Sequence, residues 1–355
     1  MAVGPLQVET AAAGANQLHV QSLPASGKCA FVALHGARMD YIAATALLDR
    51  VVFSSNRNGN WQIYVCNLDG SELRRLTTSN ANDRYPTWSP DGRQIAFSRS
   101  NSGQDERICI MNADGSDVRA LTASGGLCAD PDFSPDGRRL AYRHKRDEYE
   151  QIYIMNTDGT CQRSISDSSS TNEWDPAWSP DGTSMAFVSD RSGGYEVYVM
   201  DIEAKATTRL TDDSYRDEHP AWDPAGVLLA YESDRNGISE VMLMRSDGSE
   251  RRNFSASPYY DGMPRFSGTG RLLAFTSSRG GNYDIWLQEL GGLQRAWPVT
   301  THKAADDYAD LGSPTVQIER VLIGPDGADR GCNPLWSGAD AAVVAFDGKS
   351  SRNLI

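Results

Sequence analysis

The chain has 355 residues, 39% hydrophobic and 23% charged, a soluble-globular composition too apolar for disorder. Its 34 basic residues against 47 acidic ones leave a formal charge of −13, which excludes a general electrostatic grip on nucleic acid or anionic lipid. No window approaches the roughly 18 consecutive apolar residues of a membrane helix, so no membrane insertion is expected.

In chain order, the first 25 residues lack a basic segment followed by an apolar one, so no ordinary secretory signal is expected. Six cysteines (Cys29, Cys66, Cys109, Cys128, Cys161, Cys332) are scattered, without CxxC or zinc-like spacing. Cys66 and Cys109 fall in apolar strand-like runs, where a thiol behaves as a small buried hydrophobe. Reduced thiols and a cytoplasmic protein follow; a periplasmic or secreted one would need a signal already removed.

QLHVQSL (17–23) and KCAFVAL (28–34) read as strands, and from Asp40 a unit begins that then recurs. The strings PTWSPDGRQIAFS, PDFSPDGRRLAYR, PAWSPDGTSMAFV, PAWDPAGVLLAYE and PRFSGTGRLLAFT start at Pro86, Pro131, Pro176, Pro220 and Pro264. They are spaced by 45, 45, 44 and 44 residues, and IYVCNLDG, ICIMNADG, IYIMNTDG, VMLMRSDG and IWLQELGG recur in phase. A period of this length marks a repeat architecture. Each unit reads as four short strands. Strand A is P-x-W/F-S, a Pro-Asp-Gly turn leads to the alternating IAFS run of strand B, and a polar loop precedes the IYVMN-like strand C. Asp-Gly then closes a hairpin into strand D. Four antiparallel strands per 44 residues is the blade of a β-propeller, whose radial packing leaves few free sheet edges.

The W-S-P-D-G, I-A-F-S, S-D-R-x-G and I-Y-V-M-N-x-D-G strings resemble the WD-like propeller repeats of the TolB family over about residues 38–300. The same repeats occur in prolyl-oligopeptidase-type peptidases, tricorn-type proteases and oligogalacturonate lyases, so the resemblance implies a propeller rather than an activity. It also implies an α/β domain ahead of the propeller, for which this chain offers no room. Oligogalacturonate lyases hold a metal largely by histidine, and no matching histidine cluster is visible.

The expectation is thus an all-β chain forming a single propeller domain over 1–355. Seven blades are favoured over six, the last blade closed by two N-terminal strands and two from NPLWSGADAAVVAFDG (333–348). Residues 301–331 fall out of phase and read as an insertion on the channel-mouth face, with VQIERVLIG as a strand that could cover a ligand or offer an edge.

Residues just before each strand A proline should ring the mouth of the central channel. These are Asp40 and Tyr41; Asp83, Arg84 and Tyr85; Asp130; and Glu173, Trp174 and Asp175. The series continues with Asp217, Glu218 and His219; Tyr260 and Asp261; and Arg330 with Asn333. They vary from blade to blade within a regular scaffold, which is where a ligand-specific surface would sit. Carboxylates with aromatic faces suit a polar, sugar-like or cationic ligand, or a divalent cation held by oxygens. The structural alternative pairs these acids with Arg57, Arg146, Arg191, Arg235 and Arg279, each four residues after the strand B aromatic.

The functional expectation is a monomer that binds a protein partner or a small polar or cationic ligand at the mouth. The alternative is a carbohydrate lyase or hydrolase, metal-assisted or not, with His219, Glu218 and Asp175 in acid/base roles. A third reading is a structural platform for protein interaction. No G-x-S-x-G elbow, P-loop or dinucleotide fingerprint is present.

Overall fold

The computed structural model describes residues 28–35, 38–46, 50–102, 105–123, 126–146, 148–166, 170–291, 295–312, 316–323 and 329–338. They fall into two compact units, Asp49–Ser313 and the pair Met1–Leu48 with Pro314–Ile355. Among the described residues all the regular elements are strands.

In the larger unit the 44-residue period becomes four-stranded antiparallel blades, with blades 2 and 3 joined by one parallel bridge between Leu127 and Glu106. Blade 2 is Asn82–Trp88, Gln94–Ser102, Asp105–Asn112 and Arg119–Ala120. Blade 3 is Leu127–Phe133, Arg139–Arg146, Tyr149–Asn156 and Arg163–Ser164. Blade 4 is Glu173–Trp178, Ser184–Ser189, Glu196–Asp201 and Thr207–Arg209. Blade 5 is Asp217–Trp222, Leu228–Ser233, Glu240–Arg245 and Arg252–Asn253, and blade 6 is Asp261–Phe266, Leu272–Ser277, Asp284–Glu289 and Ala296–Pro298. Blade 1 is assembled from both ends of the unit: Asp306–Leu311 pairs with Arg50–Asn58, followed by Asn60–Asn67 and Arg74–Arg75. Each innermost strand contacts the next, and blade 6 contacts blade 1, so the ring closes at six blades.

The cores lie between blades. Strand B carries an aromatic at the same place in every blade, Phe53, Phe97, Tyr142, Phe187, Tyr231 and Phe275, all buried. Burying each contributes about 2–3 kcal/mol. Strand D holds on by a repeated device. The hydroxyls of Thr77, Thr122, Ser166, Thr211, Ser255 and Thr300 each accept a hydrogen bond from a strand C amide, those of Ile63, Ile108, Ile152, Val197, Val241 and Ile285. The Pro-Asp-Gly turns work as expected. In blade 2 Asp91 accepts from the Ser89 hydroxyl (2.6 Å) and the Arg93 amide (3.1 Å), while Gly92 takes φ +66°.

Closure corrects two expectations. The favoured seventh blade is not part of the ring, because residues 306–311, expected within an out-of-phase insertion, supply strand A of blade 1. The terminal strands do pair with one another, in a separate sheet of the smaller unit: Lys28–His35, Arg38–Ala46, Val316–Ile323 and Asp329–Gly338, in that order. The strand at 17–23 lies outside the described residues, as does all of 339–348.

Among the described residues no helix is long and apolar enough to cross a membrane. Cys66, Cys109, Cys128 and Cys161 are unpaired. Burial pushes the Cys66 thiol up to about 12 and those of Cys109 and Cys128 to about 11, so these are packing residues in any redox environment. The thiols therefore do not select the cytoplasm.

Candidate functional site

The channel mouth is built by a defect repeated six times. In each blade the innermost strand breaks register with strand B, between Arg84 and Thr87 in blade 2 and at the equivalent place in the others. In five blades a proline, which brings no N–H to a ladder, stands at the break; blade 1 bulges at the same place around Ala309. The residue before the proline, or before Ala309 in blade 1, is forced left-handed: Tyr85, Asp130, Asp175, His219, Met263 and Tyr308 have φ between 51° and 56°. Such a conformation costs about 1 kcal/mol or more for a non-glycine residue and persists because the blade imposes it. All but Met263 line one cavity of about 420 Å³.

One wall is an ion cluster. His219 Nδ1 lies 3.1 Å from Glu232 Oε2, and its Nε2 lies 3.6 Å from Asp175 Oδ2. The Tyr260 hydroxyl and the Met263 amide also donate to Glu232 Oε2, each at 3.2 Å. Burial alone would push the His219 pKa down, but the charges of Asp175, Glu232 and Glu218 outweigh it and raise it to about 10. Burial would raise Glu232, yet the imidazolium holds it below the ordinary range. His219 is therefore charged at neutral pH. It can donate a hydrogen bond or a proton, but it is not a free base.

Beside this cluster stands an aromatic and cationic group, with Tyr308 edge to face against His219 at 6.0 Å. Tyr85 and Tyr308 meet edge to face at 4.2 Å, and Arg84 lies over Trp61 (4.4 Å) while pairing with Asp307 at 2.6 Å. Arg143 joins Asp130 (2.8 Å) to Glu150 (2.9 Å). Trp174 packs edge-on against Tyr195 at 4.9 Å, and Arg216 lies over the Tyr195 ring at 4.8 Å while pairing with Glu218 at 3.0 Å. The Arg216 amide donates to Asp234 (2.8 Å).

Of the expected site residues, Tyr85, Asp130, Trp174, Asp175, Glu218, His219 and Tyr260 come together around this cavity. Asp83, Glu173 and Asp261 do not. They are fully buried behind the mouth on Arg99, Arg191 and Arg279, and Asp306 is held in the same way by Arg57. The structural pairing thus describes the acid three residues before the bulge's proline or Ala309, though blade 2 uses Arg99, two residues after Phe97. Asp217 is equally buried but lacks such a pair, since Arg235 reaches Asp213 instead. Arg84 sits beside the cavity against Asp307. Asp40, Tyr41, Arg330 and Asn333 belong to strands of the smaller unit and are not strand A residues of the ring.

Arg143, Arg216, Glu232, Asp234, Ser239 and Tyr308 line the cavity without having been anticipated. Two were detectable. The residue after the strand B aromatic is Ser54, Ser98, Val188 or Thr276 in four blades, but Arg143 and Glu232 in the other two. His219 stands between Asp175 and Glu232, with a ring nitrogen toward each.

The model of the TolB beta propeller domain matches residues 48–173 and 104–309. Among curated proteins, a TolB homolog of Chlorobaculum tepidum is 44% identical over 55 residues, 16% of this chain and 13% of the relative. This chain thus matches about an eighth of that relative's length. Among solved structures, TolB from Acinetobacter baumannii superposes with a TM-score of 0.66 at 18% identity, covering 74% of this chain and 66% of that one. A TolB structure from Agrobacterium tumefaciens gives 0.59 at 22% identity, covering 75% of this chain and 91% of that one. Likeness at these identities shows the fold alone. With the model spanning well over half its length, the chain belongs to the TolB beta propeller domain family.

Proposed function

We propose that this propeller is a binding module whose channel mouth receives a cationic, hydrogen-bonding group, presented by a partner protein or by a small polar molecule. The observation that carries the reading is the composition of the mouth. Asp130, Asp175, Glu218, Glu232 and Asp234 face the guanidiniums of Arg143 and Arg216 and the imidazolium of His219, a net negative surface. Trp174 and Tyr260 add ring faces on which an ammonium or guanidinium can lie. A catalytic role for His219 as a general base has little support, because its two carboxylate neighbours keep it protonated.

Isothermal titration calorimetry with short lysine- and arginine-containing peptides, and with acidic peptides of the same length, tests the reading. Basic peptides should bind more tightly at low salt, and Glu218→Gln with Asp234→Asn should weaken them about tenfold. Equal affinity for both peptide classes, or an unaffected double variant, would overturn it.

A further inference from the structure

Five of the six blades carry an acid three residues before the strand A proline or, in blade 1, Ala309, and four of these acids are held by a guanidinium. Asp217 is the exception. It is 0% exposed, yet neither of its carboxylate oxygens has a donor in hydrogen-bonding geometry. Arg235 stands where Arg57, Arg191 and Arg279 stand in their blades, but it reaches Asp213 at 2.5 Å. Glu196, from the third strand of blade 4, is 1% exposed; its Oε1 takes Arg209, and its Oε2 has no donor. One oxygen from each of Glu196, Asp213 and Asp217 lies within 4.8 Å of the others.

Asp217 with neither oxygen held and Glu196 with one, both buried, converge with Asp213, whose oxygens take the Tyr215 amide and Arg235; water-excluded protein tolerates the unheld oxygens poorly without a further positive charge or a proton. We propose that Glu196, Asp213 and Asp217 form an oxygen-donor site for a divalent cation, which bonds blade 4 to blade 5. Calcium suits it best. An oxygen–metal distance of about 2.3–2.6 Å fits oxygens this far apart, and calcium accepts the irregular geometry that magnesium resists. The hydroxyls of Thr211 and Ser233 stand beside the Asp217 carboxyl. The site is independent of the mouth: its ligands come from an inter-blade seam, and His219 takes no part.

The test uses the full chain dialysed against EDTA and titrated with calcium chloride by calorimetry, with thermal melting in parallel. One calcium should bind, and saturation should raise Tm by about 5 °C, with magnesium giving less. Asp217→Asn and Glu196→Gln should each abolish the shift, whereas Asp69→Asn, in an exposed turn, should keep it. Terbium luminescence displaced by calcium gives a second readout on the unmodified chain. A flat titration to 10 mM calcium, or a shift that survives Asp217→Asn, would overturn the site. So would a Asp217→Asn variant that melts higher and ignores calcium, which would identify Asp217 as a buried neutral acid.

Discussion

Replacing His219 with glutamine probes the electrostatic frame of the channel mouth. The imidazolium sits 3.1 Å from Glu232 and 3.6 Å from Asp175, with 19% of its side chain exposed. Its pKa rises from 6.5 to about 10. At about 1.4 kcal/mol per pH unit, the charged form gains at most about 5 kcal/mol from the fold. Solvent at the mouth and the mutual dependence of three charges reduce this to about 2–3 kcal/mol. Because the folded pKa lies above the unfolded one, that stability is fully present below pH 6.5 and is lost as pH rises toward 10. Urea unfolding followed by tryptophan fluorescence at pH 6, 8 and 10 should therefore show His219→Gln about 2–3 kcal/mol less stable than wild type at pH 6. The gap should narrow steadily by pH 10. A gap unchanged between pH 6 and pH 10, or one that widens, would refute the assignment of a charged histidine held by two carboxylates.

Arg279→Ala should leave the Asp261 carboxylate buried and uncompensated and cost about 3 kcal/mol in urea unfolding at pH 7; a loss below about 0.5 kcal/mol would contradict the pairing. Glu106 is pushed up to about 7 by burial and then by Asp130, so ionising it costs stability as pH rises through that range. Glu106→Gln should gain about 1–2 kcal/mol at pH 8 and almost nothing at pH 5, read by thermal melts at both pH values. At Gly70, φ is +78° and a Cβ would collide with the Val299 carbonyl oxygen of blade 6, whereas Gly59, at φ +106°, has nothing within 4 Å. Gly70→Ala should cost about 2 kcal/mol or more and Gly59→Ala about 1 kcal/mol, so equal losses in parallel urea melts would argue against the blade 6–blade 1 seam.

The blades were legible because a repeat reports itself. Pro-Asp-Gly and Asp-Gly turns dictate local backbone, and alternating strands need only a neighbour like themselves. The closing strand was missed because DDYADL lacks both marks of strand A, with Ala309 in the proline's place and Leu311 in the aromatic's. Another cadence does place it. The hydroxyl residues of Leu76-Thr77, Leu121-Thr122, Leu210-Thr211 and Phe254-Ser255 each stand nine residues before a strand A proline, and Thr300 of Val299-Thr300 stands nine before Ala309. Those hydroxyls hold strand D to strand C, so they follow the period even where the core residues drift.

What the sequence by itself determined was the blade: its four strands, its turns, its buried aromatics, and the pre-proline position that varies from copy to copy. These depend on contacts within one repeat. Tertiary structure alone decided how many blades close the ring and which residues meet across it, because both depend on partners from distant repeats. Asp83, Glu173 and Asp261 read like mouth residues in sequence but turn behind it onto arginines, since a strand alternates its faces. One residue further toward the mouth rim the side chain changes face again, and at the bulge the left-handed Asp175 and His219 come together, where Glu232 from strand B of blade 5 fixes the charge of the imidazole.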